Sequence, residues 1–301
     1  MPLIRLPFMI LSQFCHSFLT LALILVTQVS YAETSIWHIS NGHNTLYLGG
    51  TFHILKPSDY PLPIEFEHVY KKVNWLVFET DISQLNSAEF EKKFIKTMSL
   101  ASGQILADKL SPQAYSGLIH YAAKNNIDTG RLQRFKPQMV CLMISLQELN
   151  KLGLTAQGVE QYLGDKALLD GKKVTELETI DEQIHYVATM GQGNETALIL
   201  QTLEDLKTLP NDLDILSTAW RTGDVQSLFN TGIKPMMENY PEVYRSLLVE
   251  RNNNWLPKIE QLIKQPGEKF VLVGALHLIG EDGLLQQLAQ RGYQVQPFSL
   301  Q

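Results

Sequence analysis

The sequence is poor in cysteine and has no run of basic residues. It contains two cysteines among 301 residues, and its 25 Lys and Arg are outnumbered by 31 Asp and Glu, which gives a formal charge of −6. This acidic balance argues against a nucleic-acid-binding protein, which needs a basic face. Hydrophobic residues make up 45% of the chain, so the composition excludes a disordered or low-complexity protein and is sufficient for a large core.

Signatures of several common enzyme classes are also missing. The sequence contains no HExxH, Gly-x-Ser-x-Gly, GxGxxG or P-loop pattern, so the best-known zinc-protease, serine-hydrolase and nucleotide-binding arrangements are excluded. It also has no internal repeat and no linker rich in Gly, Ser or Pro. We therefore expect one domain rather than two.

The first 32 residues differ from the rest of the chain. Arg5 is the only charged residue before Glu33, residues 18–26 form a short apolar run, and Ser30 and Ala32 place small residues at the −3 and −1 positions of a cleavage site. This pattern is typical of a secretory signal peptide, and the apolar run is shorter than a membrane span needs. We predict cleavage after Ala32, a domain over residues 33–301, export to the periplasm or the medium, and membrane contact during export only.

Export would leave Cys141 as the only cysteine, because Cys15 is removed with the signal peptide. An intramolecular disulfide would then be impossible. Cys141 lies in an apolar helical stretch, so we expect a buried, unreactive thiol. Arg5 is removed as well, which brings the formal charge of the exported chain to −7.

Strand patterns lie near both ends of the exported chain, and helical patterns lie between them. Residues 36–40 and 45–50, joined by Asn41-Gly42, predict a hairpin, and residues 269–275 form the clearest strand. We therefore predict an α/β fold whose central sheet is built from both ends, with a large helical insertion or cap over about residues 85–265. The other predicted elements are strands over residues 73–81, 172–178 and 293–298, helices over 64–72 and 281–291 and after Asn86, Ser111, Pro137 and Thr179, and helix breaks near Pro210, Gly223, Gly232 and Pro241.

Two segments share the pattern of an apolar strand followed by Gly-x-x-His. They place Gly50 before His53 and Gly274 before His277. A Gly at a strand end lets the backbone turn or approach a ligand closely, and a His just beyond it lies at the sheet edge, where α/β folds bind ligands. A third match ends at His120 within a helical pattern, so we interpret it as a coincidence of spacing.

Two carboxylates end predicted strands in a similar way. Glu79 follows the apolar residues 75–78, and Glu178 ends the strand over residues 172–178. A carboxylate beside so apolar a strand is costly unless it is paired, hydrogen-bonded or metal-bound, although a solvated strand end is the alternative. Two His and a carboxylate suit Mn²⁺, Co²⁺, Fe²⁺ or Zn²⁺. The spacing equally allows a His, oriented by a Glu, to act as a general base without metal.

The order of these segments resembles the TraB/GumN family, which includes the TIKI proteins. The resemblance covers nearly all of the chain after residue 32. It is carried by the two Gly-x-x-His blocks LGGTFH and VGALHLIGEDGLL, and by the segments WLVFETD, Phe135-Lys-Pro137, Gln157-Gly-Val-Glu160, Leu177-Glu-Thr179, Glu250-Arg-Asn-Asn-Asn-Trp255 and Arg291-Gly-Tyr-Gln-Val295.

This resemblance implies an α/β fold related to erythromycin-esterase-like and ChaN-like proteins, with both histidines and the Glu in one site. Animal TIKI members are similar and act as divalent-metal-dependent proteases. The resemblance therefore implies that His53, Glu79 and His277 serve as catalytic groups and metal ligands. Arg251 is a further catalytic candidate, which would contact an anionic group or orient a carboxylate; the alternative is a salt bridge with Glu160 or Glu178. We place Glu160, Glu178, Gly50 and Gly274 either at the substrate or directly behind the catalytic groups.

Three functions follow as hypotheses. The first is an exported divalent-metal-dependent hydrolase, a peptidase or amidase acting on a peptide or a small molecule. The second is an envelope protein that binds haem or a peptide without catalysis. The third is an esterase that uses His and Glu as acid and base without metal.

Overall fold

The computed structural model describes residues 34–300, so the predicted signal peptide lies outside the described residues. Most strands of the described part belong to one sheet, and two short strands form a separate pair. The strands are β1 (Ile36–Ser40), β2 (Thr45–Thr51), β3 (Ile54–Leu55), β4 (Trp75–Phe78), β5 (Ala156–Gln157), β6 (Lys173–Glu176), β7 (Phe270–Gly274) and β8 (Gln294–Pro297).

The main sheet has the order β6-β4-β7-β2-β1-β8. Its four strands β6, β4, β7 and β2 run parallel, whereas β1 pairs antiparallel with both β2 and β8. The parallel strands therefore end at one edge of the sheet, where α/β folds bind their ligands. The predicted α/β class, with a sheet built from both ends of the chain, is confirmed.

Helices occupy most of the chain between β4 and β7. Their lengths range from four residues to 28 residues. The helices are α1 (Ile64–Lys72), α2 (Ala88–Met98), α3 (Pro112–Lys124), α4 (Thr129–Leu132), α5 (Pro137–Lys151), α6 (Val159–Leu169), α7 (Ile180–Thr189), α8 (Glu195–Thr222), α9 (Val225–Leu228), α10 (Lys234–Asn239), α11 (Pro241–Tyr244), α12 (Glu250–Lys264) and α13 (Leu284–Gln290).

The sheet is covered by helices on both faces. Successive residues of β7 alternate between two buried clusters: Leu272 packs with the apolar sides of α1 and α6, and Val271 packs with those of α12 and α13. This alternation follows from the period of two in a strand, and burial on both faces explains why β7 is apolar throughout. A third cluster joins α3, α5 and α8 into a helical block away from the sheet.

Cys141 lies within that helical block. The residue is 4% exposed, and burial raises the pKa of its thiol to about 12. The prediction of a buried, unreactive thiol is confirmed.

The hairpin, α1 and the starts of the helices at Pro112, Pro137 and Ile180 agree with the sequence predictions. The helix break predicted at Pro210 is wrong, because α8 continues through it. Leu198 at one end of α8 packs in the helical block and Trp220 at the other packs on the sheet, and this packing outweighs the hydrogen bond that proline removes. The predicted break at Gly232 is a π-helical turn, Phe229–Ile233, that leads directly into α10.

Several boundaries also differ from the predictions. The strand predicted over residues 172–178 ends at Glu176, so Glu178 lies beyond it, and the helix predicted over residues 281–291 begins at Leu284. The cap of α2 is Ser87, whose hydroxyl accepts from the amide of Phe90, rather than Asn86. The strand predicted over residues 73–81 ends at Phe78, so Glu79 lies just beyond the sheet. Among the described residues, no helix is long and apolar enough to cross a membrane.

Candidate functional site

The predicted site residues meet at the edge where the parallel strands end. Glu79 directly follows β4, His53 lies two residues beyond β2, and His277 ends the 3₁₀ turn Ala275–His277 that follows β7. Arg251 reaches the same edge from the first turn of α12. Pairing of Thr51 with Gly274 across β2 and β7 sets the two histidine segments side by side.

Gly274 marks the centre of this cluster. A Cβ atom built on Gly274 would lie 3.3 Å from Glu79 Oε1, 3.5 Å from His53 Nε2 and 3.6 Å from His277 Cδ2. His53 Nε2 and His277 Cδ2 therefore both lie within 3.6 Å of one point. The two imidazole rings are closer than roughly 8 Å, the separation beyond which one metal ion could not join them. The space that Gly274 leaves open is shared by all three side chains.

Arg251 holds the buried part of the cluster together. Its Nε and Nη2 donate to the two oxygens of Glu178 at 3.1 and 2.7 Å, and Nη2 also donates to Glu79 Oε2 at 2.7 Å. Its Nη1 donates to His277 Nε2 at 3.1 Å and to the carbonyl of Leu247 at 3.4 Å. An arginine has five N–H donors, so every donor of Arg251 has a protein acceptor. Its geometry is that of an orienting residue.

The two carboxylates held by Arg251 are both buried. Glu79 is 4% exposed and Glu178 is 3% exposed. Burial by itself would raise the pKa of Glu79, but Arg251 outweighs it and holds that pKa well below its usual range. The backbone amide of Gly274 also donates to Glu79 Oε1 at 2.6 Å, so Glu79 is ionised. Burial raises the pKa of Glu178, and this effect outweighs the hydrogen bonds from Arg251 and Trp255, which lower it.

His277 is fixed in one orientation by Asn252. Both amide hydrogens of Asn252 are donated to backbone carbonyls, those of His277 at 3.0 Å and Asp282 at 2.8 Å. Its Oδ1 must therefore accept from His277 Nδ1 at 2.7 Å, which assigns the lone pair to Nε2. Burial lowers the pKa of His277 to about 3, so the ring is neutral and its Nε2 accepts from Arg251.

His53 differs from His277 in exposure and in charge. Its side chain is 64% exposed, and its Nδ1 contacts Glu160 Oε1 at 2.8 Å. The hydroxyl of Thr51 donates to the same oxygen. Nε2 of His53, by contrast, has no hydrogen-bond partner among residues 34–300 and is turned toward the space in front of Gly274. This ring is the polar group most available to a ligand.

The chain brings Glu160 to His53 through a short strand pair and a glycine. Strands β3 and β5 pair Ile54 with Gln157, and the amide of Val159 donates to the carbonyl of Phe52. A Cβ on Gly158 would lie 2.2 Å from the carbonyl oxygen of His53, so only glycine permits this approach. The salt-bridge partner predicted for Arg251 is therefore Glu178, while Glu160 pairs with His53.

We predict that His53 remains protonated above neutral pH in the metal-free protein. Glu160 raises the pKa of His53 from 6.5 to about 9. The raised pKa means that the ion pair contributes fully to stability below pH 6.5 and is lost as the pH rises through about 9. An NMR titration of the His53 ring should have its midpoint near pH 9, and in Glu160→Gln the midpoint should move toward 6.5.

Asp165→Asn provides the control for this titration. Asp165 lies on the same helix as Glu160 but accepts from Gln157 and Gln161 rather than from His53. Its removal should leave the His53 midpoint unchanged. An unshifted midpoint in Glu160→Gln would contradict the assignment of Glu160 as the source of the shift.

A cleft of about 540 Å³ opens from this cluster. His53, Glu79, Arg251 and His277 lie at its sheet end, and mainly apolar side chains from α2, α5, α7, α8 and α10, together with Gln183 of α7, form the other walls. Its volume is in the range of pockets that enclose small ligands. Gly50 lies behind the site: its carbonyl accepts from Trp220, and a Cβ there would meet the backbone of Ala275.

The site matches a divalent metal ion in its residue types and only partly in its arrangement. His53 Nε2 and Glu79 Oε1 face the same open space, which fits an ion that prefers imidazole and carboxylate ligands. The third donor, His277 Nε2, already accepts from Arg251. Within residues 34–300, no three His, Cys, Asp or Glu side chains form a complete ligand set as they stand.

Sequence reasoning missed three groups of the site. Asn252 and Trp255 lie in the same segment as Arg251, but nothing in their spacing identified the hydrogen bonds to His277 and Glu178. Thr51 directly follows the glycines of the first Gly-x-x-His block and could have been suspected from that position. The apolar walls come from distant helices and left no local signal. His120 is exposed on α3 and does not line the cleft.

A sequence model of the TraB/PrgY/gumN family matches residues 35–297. The chain is also similar to the uncharacterized protein YbaP of Escherichia coli (strain K12). The two are 25% identical over 248 residues, which cover 82% of this chain and 89% of YbaP.

Two animal proteins are more distant relatives. Metalloprotease TIKI1 of Danio rerio is 21% identical over an alignment of 325 residues, which covers 90% of this chain but 64% of TIKI1. Metalloprotease TIKI2 of Xenopus tropicalis is 22% identical over 200 residues, covering 57% of this chain and 38% of TIKI2. No solved structure has a significant match to the chain.

Proposed function

Because the chain belongs to the TraB/PrgY/gumN family, we propose that it is a hydrolase that cleaves peptide bonds at the carboxyl edge of its sheet. The observation that carries this proposal is the convergence of His53 Nε2, Glu79 Oε1 and His277 on the space in front of Gly274. The cluster opens onto a cleft that could receive a substrate. Two relatives are named metalloproteases, which favours the peptide bond over other bonds.

The residues divide into reacting and orienting groups. His53 is exposed, and its Nε2 would hold a metal ion or, where no metal is bound, donate a proton to the departing amine. Glu160 orients that ring through Nδ1, as a carboxylate does for a catalytic His. Arg251 holds Glu79 ionised, and Asn252 keeps His277 in a single tautomer. These buried contacts fix the site before a substrate binds.

A divalent ion would be held by His53 and Glu79, with His277 as a third donor only if it gives up its hydrogen bond from Arg251. Such an ion, when bound, polarises a carbonyl and lowers the pKa of a coordinated water. Binding would require the neutral form of His53. Glu79, already ionised, is ready to act as a ligand.

A metal-independent hydrolase is the second candidate, and Arg251 is the observation that favours it. The guanidinium already places a fixed positive charge 2.7 Å from Glu79 and 3.1 Å from His277. The guanidinium thereby takes up the Nε2 lone pair of His277 that a metal ion would need. His53, oriented by Glu160, could serve as the acid at neutral pH and as the base only above its pKa of about 9.

Chelation separates these candidates. We expect purified protein to hydrolyse members of a panel of fluorogenic peptides, to lose this activity after exhaustive dialysis against EDTA, and to regain it with Mn²⁺, Co²⁺, Fe²⁺ or Zn²⁺. Metal content should be measured on the same samples. Full activity after chelation, with no metal bound, would replace the first candidate by the second.

Gly274→Ala tests the location of the site. Gly274 has φ −50° and ψ 136°, which an alanine accepts, while the new methyl group would stand among Glu79, His53 and His277. We expect a folded protein with turnover reduced at least 100-fold. Undiminished turnover in this variant would place the reaction elsewhere.

We further propose that the protein is exported and acts in the periplasm or outside the cell after cleavage at Ala32. The support is the composition of residues 1–32. Cell fractionation combined with N-terminal sequencing tests this proposal, which requires a mature amino terminus at Glu33.

A further inference from the structure

The charged end of the cleft lies at the sheet edge. The titratable groups of the lining, His53, Glu79, Arg251 and His277, all lie there. The opposite walls come from helices α2, α5, α7, α8 and α10, and Gln183 on α7 is an uncharged polar side chain among them. The apolar side chains of these helices include Phe90, Phe94, Leu142, Val187, Leu216 and Met236.

Among the described cations that line this cleft, His53 alone keeps a donor for a ligand, and it lies at the sheet edge rather than on the opposite walls. All five donors of Arg251 have protein acceptors, whereas His53 is paired with Glu160 through Nδ1 and leaves its Nε2 for the reacting position. The apolar walls contribute no charged side chain to the lining. A charged substrate group placed there would lose its hydration without compensation, whereas an apolar group would gain from burial.

The wall that α2 contributes is suited to a flat or branched apolar group. The rings of Phe90 and Phe94 lie 5.6 Å apart with an angle of 21° between their planes. Both side chains are only partly buried, although they are large apolar groups, so they present surface to the cleft. Burial of an aromatic or aliphatic group against them would remove apolar area from water on both partners.

We propose that the substrate carries a large aliphatic or aromatic side chain beside the cleaved peptide bond, and that this side chain occupies the helical walls of the cleft. This inference rests on the proposed function, because it assumes that the reacting bond lies at the sheet edge in front of Gly274. The helical walls of the cleft then determine the specificity, and the groups at the sheet edge determine the chemistry.

A matched set of fluorogenic peptides tests the specificity. The peptides differ only at the residue beside the cleaved bond, which is Leu, Phe, Ala, Asp or Lys. We expect kcat/KM for Leu and Phe to exceed that for Ala at least about 10-fold, since even one methylene in an apolar pocket is worth about that much. Asp and Lys should be poorer than Leu at least about 100-fold.

Two neighbouring residues of α2 provide a matched pair of variants. Phe94 lines the cleft, whereas Ile95 is 40% exposed and does not. Phe94→Ala should reduce the Leu-over-Ala preference about 10-fold, and Ile95→Ala should leave it unchanged. If Phe94→Ala does not fold, Leu216→Ala on α8 removes apolar wall from a different helix and should reduce the preference in the same way.

Binding to wild-type protein distinguishes a failure of this inference from a failure of the proposed function. The same peptides with a reduced, non-hydrolysable bond are titrated by calorimetry. If no peptide is cleaved but the Leu analogue binds at least about 10-fold tighter than the Ala and Asp analogues, the specificity stands and the hydrolase proposal falls. If peptides are cleaved and Asp or Lys is accepted as well as Leu, the specificity is overturned and the hydrolase proposal stands.

Discussion

Replacement of Arg251 by Met should destabilise the protein by about 3–5 kcal/mol, because it removes the cation that bridges two buried carboxylates. Glu79 and Glu178 would each lose a hydrogen bond of 2.7 Å to the guanidinium, and neither is exposed enough to be hydrated. The measurement is the free energy of unfolding from urea denaturation at pH 7. Arg251→Lys should recover part of the loss, since one ammonium cannot reproduce the fork between the two carboxylates.

Arg245→Met is the matched control. Arg245 lies in the π-helical turn Arg245–Val249 that leads into α12, and it pairs with Glu242 and Glu250 at the surface, where its side chain is 62% exposed. Its loss should cost no more than about 1 kcal/mol. If both variants were equally stable, the buried network would not be the stabilising feature that its geometry indicates.

Replacement of His53 by Ala should reduce turnover by roughly 10²–10⁴-fold, the usual range for the loss of an acid or base. The fold should survive, because 64% of the His53 side chain is exposed and its ring carries little packing. Steady-state kinetics on the best fluorogenic peptide, together with the urea midpoint, separates lost chemistry from lost structure.

The control is His120→Ala, which removes the histidine of the third Gly-x-x-His match. His120 is exposed on α3 and contributes nothing to the cleft lining. Turnover should be unchanged. Equal activity in wild type and His53→Ala would exclude His53 from the reaction under both proposed mechanisms.

Much of the site could be predicted because its residues lie just beyond the ends of strands. The two glycines before His53 and His277, and the position of Glu79 after an apolar run, are local patterns that survive in the sequence. The parallel arrangement of β2, β4 and β7 then places their ends together. The same logic identified Glu178, although its carboxylate proved to bind Arg251 rather than to face the cleft.

The remaining features depend on contacts between segments far apart in the chain. Asn252 reaches His277 only because α12 lies across the end of β7, and Glu160 reaches His53 only because the backbone at Gly158 touches that of His53. Pro210 stays inside α8 because clusters at both of its ends hold it. None of these distances is encoded by local propensity, which tertiary packing overrides.

The strand order has a consequence for the stage of synthesis at which the site can form. In the sheet, β7 lies between β2 and β4, yet it is synthesised after both of them. A nascent chain that ends before residue 270 lacks the strand that lies between β2 and β4. His53 and Glu79 therefore cannot be brought together until β7 and His277 have been synthesised. The site is therefore absent from any nascent chain that stops before residue 277.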